Sequence, residues 1–123
     1  MLHHVSLPVA NLALSATFYD AVLAALGYRR VFEDETAVGY GIEDGDDKLC
    51  LKQRDSAGAI RSGFHLAFAA PDRAAVDNFH HAGLASGGQD NGAPGTREDY
   101  GPRYYAAFLF DPDGHHIEAV INT

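Results

Sequence analysis

Apolar and polar side chains alternate with a period of two near the start of the chain, in LHHVSLPV, and again in GFHLAFA. That period belongs to a β-strand with one buried face. In the first stretch Val5 and Leu7 share a face with His3, while His4 and Ser6 take the other. In the second, Phe64, Leu66 and Phe68 share a face, opposite Gly63, His65 and Ala67. After each strand the period lengthens to that of a helix. SATFYDAVLAALGY places Phe18, Val22 and Leu26 on one stripe, with Ser15 as the expected N-cap and Gly27 as the left-handed stop. PDRAAVDNFHHAGLASGG places Val76 and Phe79 on one stripe, with Asp72 as N-cap and Gly87-Gly88 at the end.

The two strand-helix runs are copies of each other. Sliding the chain so that His4 meets His65 also brings Phe18 onto Phe79, Ala21 onto Ala82, Leu23 onto Leu84 and Gly27 onto Gly88. Strand-like stretches follow each helix: YRRVFED, AVGYGIED and DKLCLKQ in the first copy, RYYAAFLF and HHIEAVIN in the second. Each half therefore reads β-α-β-β-β, an internal repeat. The expected division is a first module at residues 1–56, a joint at 57–62 and a second module at 63–123. GGQDNGAPGTREDYGP, dense in Gly, Pro and Asp, reads as a rim loop or lid over residues 89–102.

Candidate chemistry lies on the strand faces that the large apolar residues avoid. In HHIEAVI, Ile117, Ala119 and Ile121 share one face; His116, Glu118 and Val120 share the other. A carboxylate on a buried strand is costly unless a cation or hydrogen-bond donors receive it. His4 and His65 occupy matching positions on the first strand of each copy. Two imidazoles and a carboxylate are a common divalent-metal set, provided the two modules bring them to one cavity. The bland reading is two hydrogen-bonded strand histidines and a glutamate on a wet sheet face, and spacing alone does not separate the two.

Other residues carry weaker signals. Tyr104 and Tyr105 are adjacent on one strand, so only one can face a cavity and offer its hydroxyl to a substrate; packing is the alternative for both. Arg61 and Arg103 flank the expected opening. His80 and His81 lie on a helix without a metalloprotease pattern. DPDG has two aspartates of a calcium loop but no glutamate at the loop's last position, so a turn explains it.

Composition narrows the class. At 123 residues the chain has the length of one domain. A net charge of −8 without a Lys/Arg cluster speaks against nucleic acid. No apolar run approaches a membrane span, and the N-terminus lacks the features of a secretory signal. The single cysteine, Cys50, excludes an internal disulfide framework and fits a reducing cytoplasm.

LHHVSLPVANLALSATFYDAVLAALGY, GFHLAF and YYAAFLFDPDGHHIEAV together resemble the vicinal oxygen chelate superfamily, which holds glyoxalase I, bleomycin-resistance proteins, fosfomycin-resistance thiol transferases and extradiol dioxygenases. The resemblance covers nearly the whole chain, and the DPDG turn running into an I-E strand is its most specific part. It implies an α+β fold of paired βαβββ modules, forming half-open mixed sheets around a divalent metal (Zn, Ni, Mn or Fe). It further implies His4, His65 and Glu118 as the metal ligands. In one respect the chain departs from glyoxalase I. Aligning KLCLK with HIEAV sets Cys50 opposite Glu118, where glyoxalase I has a further glutamate ligand. Cys50 is then a fourth ligand, a reactive thiol or an apolar filler, and filler is the commonest fate of a buried cysteine.

The implied function is that of a metal-dependent, glyoxalase-like enzyme. It would act on a small oxygen-bearing substrate, such as a thiol conjugate, by lyase, isomerase or thiol-transfer chemistry, with Glu118 as ligand and base in turn. Short members of the superfamily often dimerise so that one chain supplies His4 and the other His65 and Glu118; the alternative pairs the modules within one chain, and the sequence does not decide between them. Two alternatives remain: a drug- or metabolite-binding resistance protein without catalysis, and a small Fe(II) extradiol-type dioxygenase.

Overall fold

The computed structural model describes residues 1–55 and 63–123. The expected joint at 57–62, with Arg61, lies outside them. Ten elements run in order: β1 (Val5–Val9), α1 (Leu12–Ala24), β2 (Arg29–Glu33), β3 (Ala37–Gly41), β4 (Asp47–Gln53), β5 (Leu66–Ala69), α2 (Arg73–Ala85), β6 (Gln89–Thr96), β7 (Tyr104–Phe110) and β8 (His116–Asn122). They form two four-stranded mixed sheets, ordered β1-β4-β3-β2 and β5-β8-β7-β6. In each, the first strand pairs in parallel with the last, and the rest is antiparallel. The two sheets thus carry the two modules of the repeat and, among the described residues, close into no barrel.

Strand parity decides what each face carries. On the first sheet Leu7, Val9, Val38, Tyr40, Leu49 and Leu51 are buried towards the helices. On the second, Ile117, Ala119, Ala107 and Leu109 do the same. These residues form one cluster shared by both modules, because α1 packs on α2. Phe18 and Phe79, the repeat-related helix residues, are fully buried in it, and each burial stabilises the fold by roughly 1.5–3 kcal/mol. The helices approach closely at Gly83. A Cβ added there would lie 2.3 Å from Leu109 Cδ1, 3.1 Å from Val22 Cγ1 and 3.3 Å from Phe18 Cε2.

Two details differ from the sequence expectation. Helix α1 starts at Leu12, capped by Asn11, whose Oδ1 accepts from the Leu14 N–H at 3.1 Å. Ser15 is not the cap; it is buried inside the first turns and serves another purpose described below. Residues 89–102 are not all loop, because β6 spans Gln89–Thr96. Gly92, Pro94 and Gly95 survive in a strand because it is the sheet's outermost one and its register with β7 slips twice, between Asp90 and Gly92 and between Gly92 and Gly95. The expected cap at Asp72 is present, accepting from Ala75 N–H at 2.7 Å.

Candidate functional site

Glu118 is a carboxylate 2% exposed in the middle of β8. It lies opposite Phe108 of β7 and beside Ala67 of β5. The small Ala67 leaves room over it, and both carboxylate oxygens are addressed. Tyr104 donates its hydroxyl hydrogen to Oε1 at 2.5 Å, and His65 Nε2 lies 3.3 Å from Oε2. Tyr104 belongs to β7 and His65 immediately precedes β5, so three segments of one sheet converge here. Burial, and then the Glu118 carboxylate, push the Tyr104 phenol up to about 12, so it keeps its proton at neutral pH and remains a donor.

Around this group lies an open cavity of about 720 Å³, with Phe64, Tyr100 and Phe108 as aromatic walls and Asn91, Asp99 and His116 as further polar groups. Tyr100 meets Tyr104 edge to face, ring centres 5.2 Å apart. His116 is set edge-on to Phe110 at 4.6 Å. A concave, largely aromatic pocket with a few converging polar groups has the general form of a small-molecule site.

The remaining sequence candidates fall into place around this one. His4 is not in the cavity of its own chain. It is exposed just ahead of β1, its Nδ1 2.9 Å from Nδ1 of His3, and it lines a separate cavity. Of the tyrosine pair, Tyr104 faces the site. Tyr105 points to the helix side, donating to Asp77 Oδ1 at 2.6 Å with the Arg73 guanidinium 4.8 Å above its ring. Arg103 is exposed and does not line the cavity. Cys50 holds on the first sheet the place of Glu118 on the second: Cys50 pairs with Ser6 of β1 as Glu118 pairs with Ala67 of β5. It is 6% exposed, and burial, followed by the charge of Asp47, pushes its thiol upward. A protonated, enclosed thiol is a poor nucleophile and a poor ligand.

Asp111, Asp113 and His115 were invisible as a cluster in the sequence, where DPDG reads only as a turn. Among the described residues they are the group whose possible metal-ligand atoms all lie within 4.8 Å of one another. The aspartates are heavily engaged already. Asp111 accepts from Tyr19 O–H at 2.6 Å, from His115 Nδ1 at 2.8 Å and from the backbone N–H groups of Asp113 and His115 at 3.0 and 2.8 Å. Asp113 accepts from Ala10 N–H at 3.0 Å and from Ser15 O–H at 3.1 Å. A carboxylate offers about four lone-pair sites, so Asp111 is saturated without an ion. The turn of the second module thereby clasps the start of α1 in the first. The sequence signal was the pair Ser15 and Tyr19, polar groups one helical turn apart on a buried face. Among the described residues, His115 Nε2 is buried with no partner.

Comparison with known proteins agrees with this architecture. The family model described as Glyoxalase/Bleomycin resistance protein/Dioxygenase superfamily matches residues 1–119. A solved glyoxalase/bleomycin resistance protein from Albidiferax ferrireducens T118 is 32% identical, with 95% of this chain and 94% of that one covered and a TM-score of 0.82. A glyoxalase-related enzyme from Fulvimarina pelagi shares the fold at 20% identity, with 99% and 88% covered and a TM-score of 0.76. A glyoxalase I variant from Zea mays does so at 24% identity and a TM-score of 0.73, with 97% of this chain and 45% of that longer one covered. No match emerged among curated proteins. The chain belongs to the glyoxalase/bleomycin resistance protein/dioxygenase superfamily, which includes enzymes and resistance proteins and whose members typically bind a divalent metal and small molecules. Among the described residues no helix is long and apolar enough to cross a membrane.

Proposed function

We propose that this protein is a metal-dependent, glyoxalase-like enzyme whose site is completed by a second copy of the chain. The observation that carries the reading is the 3.3 Å contact between His65 Nε2 and the buried Glu118 Oε2 at the base of an aromatic-walled cavity. Two ligands held about 2.1 Å from one ion at a tetrahedral angle stand about 3.4 Å apart, so this pair fits a shared divalent ion. Among the described residues of one chain, no third donor joins these two within ligand distance. His4, exposed at the start of the first module, is the third when it comes from a partner, which makes a homodimer part of the function.

A bound divalent ion would polarise adjacent oxygens of a small substrate. The chain's own groups do the rest. Tyr104 fixes Oε1, so Glu118 presents Oε2 alone to the cavity. Oε2 cannot hold an ion and a proton at once, so Glu118 would be ligand and base in turn, taking a proton from a carbon next to a carbonyl and returning it to a neighbouring one. Phe64, Tyr100 and Phe108 hold the substrate's apolar part and limit water. Lyase, isomerase and thiol-transfer chemistry all fit this arrangement.

Complementation tests the reading. His4→Ala and Glu118→Gln each lose stoichiometric Zn, Ni, Mn or Fe binding. Mixing the two variants restores about a quarter of the sites, because each mixed dimer carries one intact set. No restoration, with dimers demonstrably exchanging, refutes sharing. Absence of metal binding by the wild type refutes the metal reading. In that case the aromatic walls and the already hydrogen-bonded Glu118 favour the other reading, a binding protein whose ligand uptake is indifferent to chelators.

A further inference from the structure

The shared core is not filled at both ends. At one end the Asp111–Tyr19–Asp113–Ser15 contacts close the space between the modules. At the other lies a second cavity of about 260 Å³. Its walls are Leu23 of α1, Leu49 of β4, and Leu66 and Phe68 of β5. These are helix-facing positions, yet Leu66 and Phe68, with Val5 and Tyr28, are only partly buried against the core. Core positions left half-open around a void lose dispersion contacts on that side, and an apolar occupant would restore them.

The mouth has a distinct charge. On a chain of net charge −8 it carries Lys48 and the imidazoles of His3 and His4. Lys48 Nζ meets Asp46 at 2.9 Å, but both side chains are about half exposed, so this screened pair leaves the ammonium able to receive another anion. An apolar chamber with cationic and N–H groups at its opening suits an amphipathic anion.

We propose that this cavity is a binding site for a small amphipathic carboxylate, its apolar body between Leu23, Leu49 and Leu66 and its head group at Lys48. Voids of about 150 Å³ take a benzene-sized body, so this one admits a medium-length alkyl chain or a substituted ring. The site is separate from the Glu118 cavity of its own chain; it shares His4 with the metal reading, and its apolar walls and Lys48 do not depend on that reading.

The test is a titration of the metal-free full chain with octanoate, hexanoate and octan-1-ol, followed by calorimetry and by methyl chemical shifts. The expected result is saturable binding of one octanoate per chain, with shifts at Leu23, Leu49 and Leu66. Hexanoate binds about fifteenfold more weakly, two methylenes at about fourfold each. Lys48→Met removes the preference for octanoate over octan-1-ol, and Leu66→Trp, which fills the void, abolishes binding of both. Val5→Phe does the same from the opposite wall if the Leu66 variant does not fold. Four outcomes overturn the proposal: no saturable binding, equal binding of hexanoate and octanoate, shifts confined to the His65–Glu118 face, or a dimer that protects Leu66 and Phe68 and takes up no octanoate.

Discussion

Replacing Asp111 by alanine removes one side chain that two modules depend on. Asp111 is 3% exposed and accepts four hydrogen bonds, one of them from Tyr19 of α1 at 2.6 Å. Its loss leaves the Tyr19 hydroxyl, buried to 0% exposure, without an acceptor. It also leaves His115, already lacking a partner at Nε2, without one at Nδ1. Breaking a buried ionic or hydrogen-bonded pair from one side costs about 3–5 kcal/mol, and a stranded hydroxyl alone costs about 1–3 kcal/mol. We expect Asp111→Ala to destabilise the chain by at least about 3 kcal/mol, lowering Tm by about 10–15 °C for a domain of this size. Tyr19→Phe, which takes one donor and leaves the carboxylate three, should cost only about 1–2 kcal/mol. Urea denaturation of wild type and both variants, each with and without a chelator, measures the differences. A cost below about 1 kcal/mol for Asp111→Ala would refute the clasp. A chelator that destabilises wild type as much as the substitution does would show that Asp111, Asp113 and His115 hold an ion rather than the two modules.

Three further outcomes follow from the same geometry. Gly83→Ala should destabilise by about 1–3 kcal/mol through overpacking against Leu109, Val22 and Phe18. This outweighs alanine's helix preference of about 1 kcal/mol; a raised Tm would show that the helices separate easily. Tyr104→Phe should leave Tm within a few degrees but weaken zinc binding by about tenfold or more, since Oε1 loses the donor that orients Glu118; calorimetric titration reads it, and unchanged affinity refutes the positioning role. Burial disfavours the charged form of His115, but its bond to Asp111 and the charges of Asp111 and Asp113 outweigh this and raise its pKa. The native state therefore holds the proton more tightly than the unfolded chain. This stabilisation is complete below the ordinary value of about 6.5 and is lost as pH rises through the elevated native one. Thermal melts between about pH 5.5 and 8.5 should show a steeper decline for wild type than for His115→Gln.

What the sequence made legible was what depends on period and parity. Alternation in GFHLAFA and HHIEAVI put His65 and Glu118 on the face opposite the core, and the structure brings them within 3.3 Å. Matching KLCLK to HIEAV set Cys50 opposite Glu118, and the strand registers agree. What stayed illegible depends on the relation between modules. Repeat symmetry gives His4 and His65 equal rank, but His4, exposed ahead of β1, lines the cavity between the modules, whereas His65 lines the open face of the second sheet. The clasp was hidden because its members are spread from Ala10 to His115, and nothing local marks Tyr19 as paired with Asp111. Strand β6 was hidden because Gly and Pro report loop chemistry, and only an outer position with slipped register tolerates them.

That tolerance extends to the whole perimeter. The four outermost strands are β1, β2, β5 and β6, and each is poorly suited to templating a neighbour. β1 carries Pro8, which offers no N–H; β2 has Arg29, Arg30 and Glu33 and a bulge; β5 has only four residues; β6 has Pro94 and two register slips. Unpaired strand edges are where sheets recruit further sheets into fibrils. A chain that is 46% hydrophobic yet blunts each of these edges among the described residues offers a further chain little on which to extend either sheet.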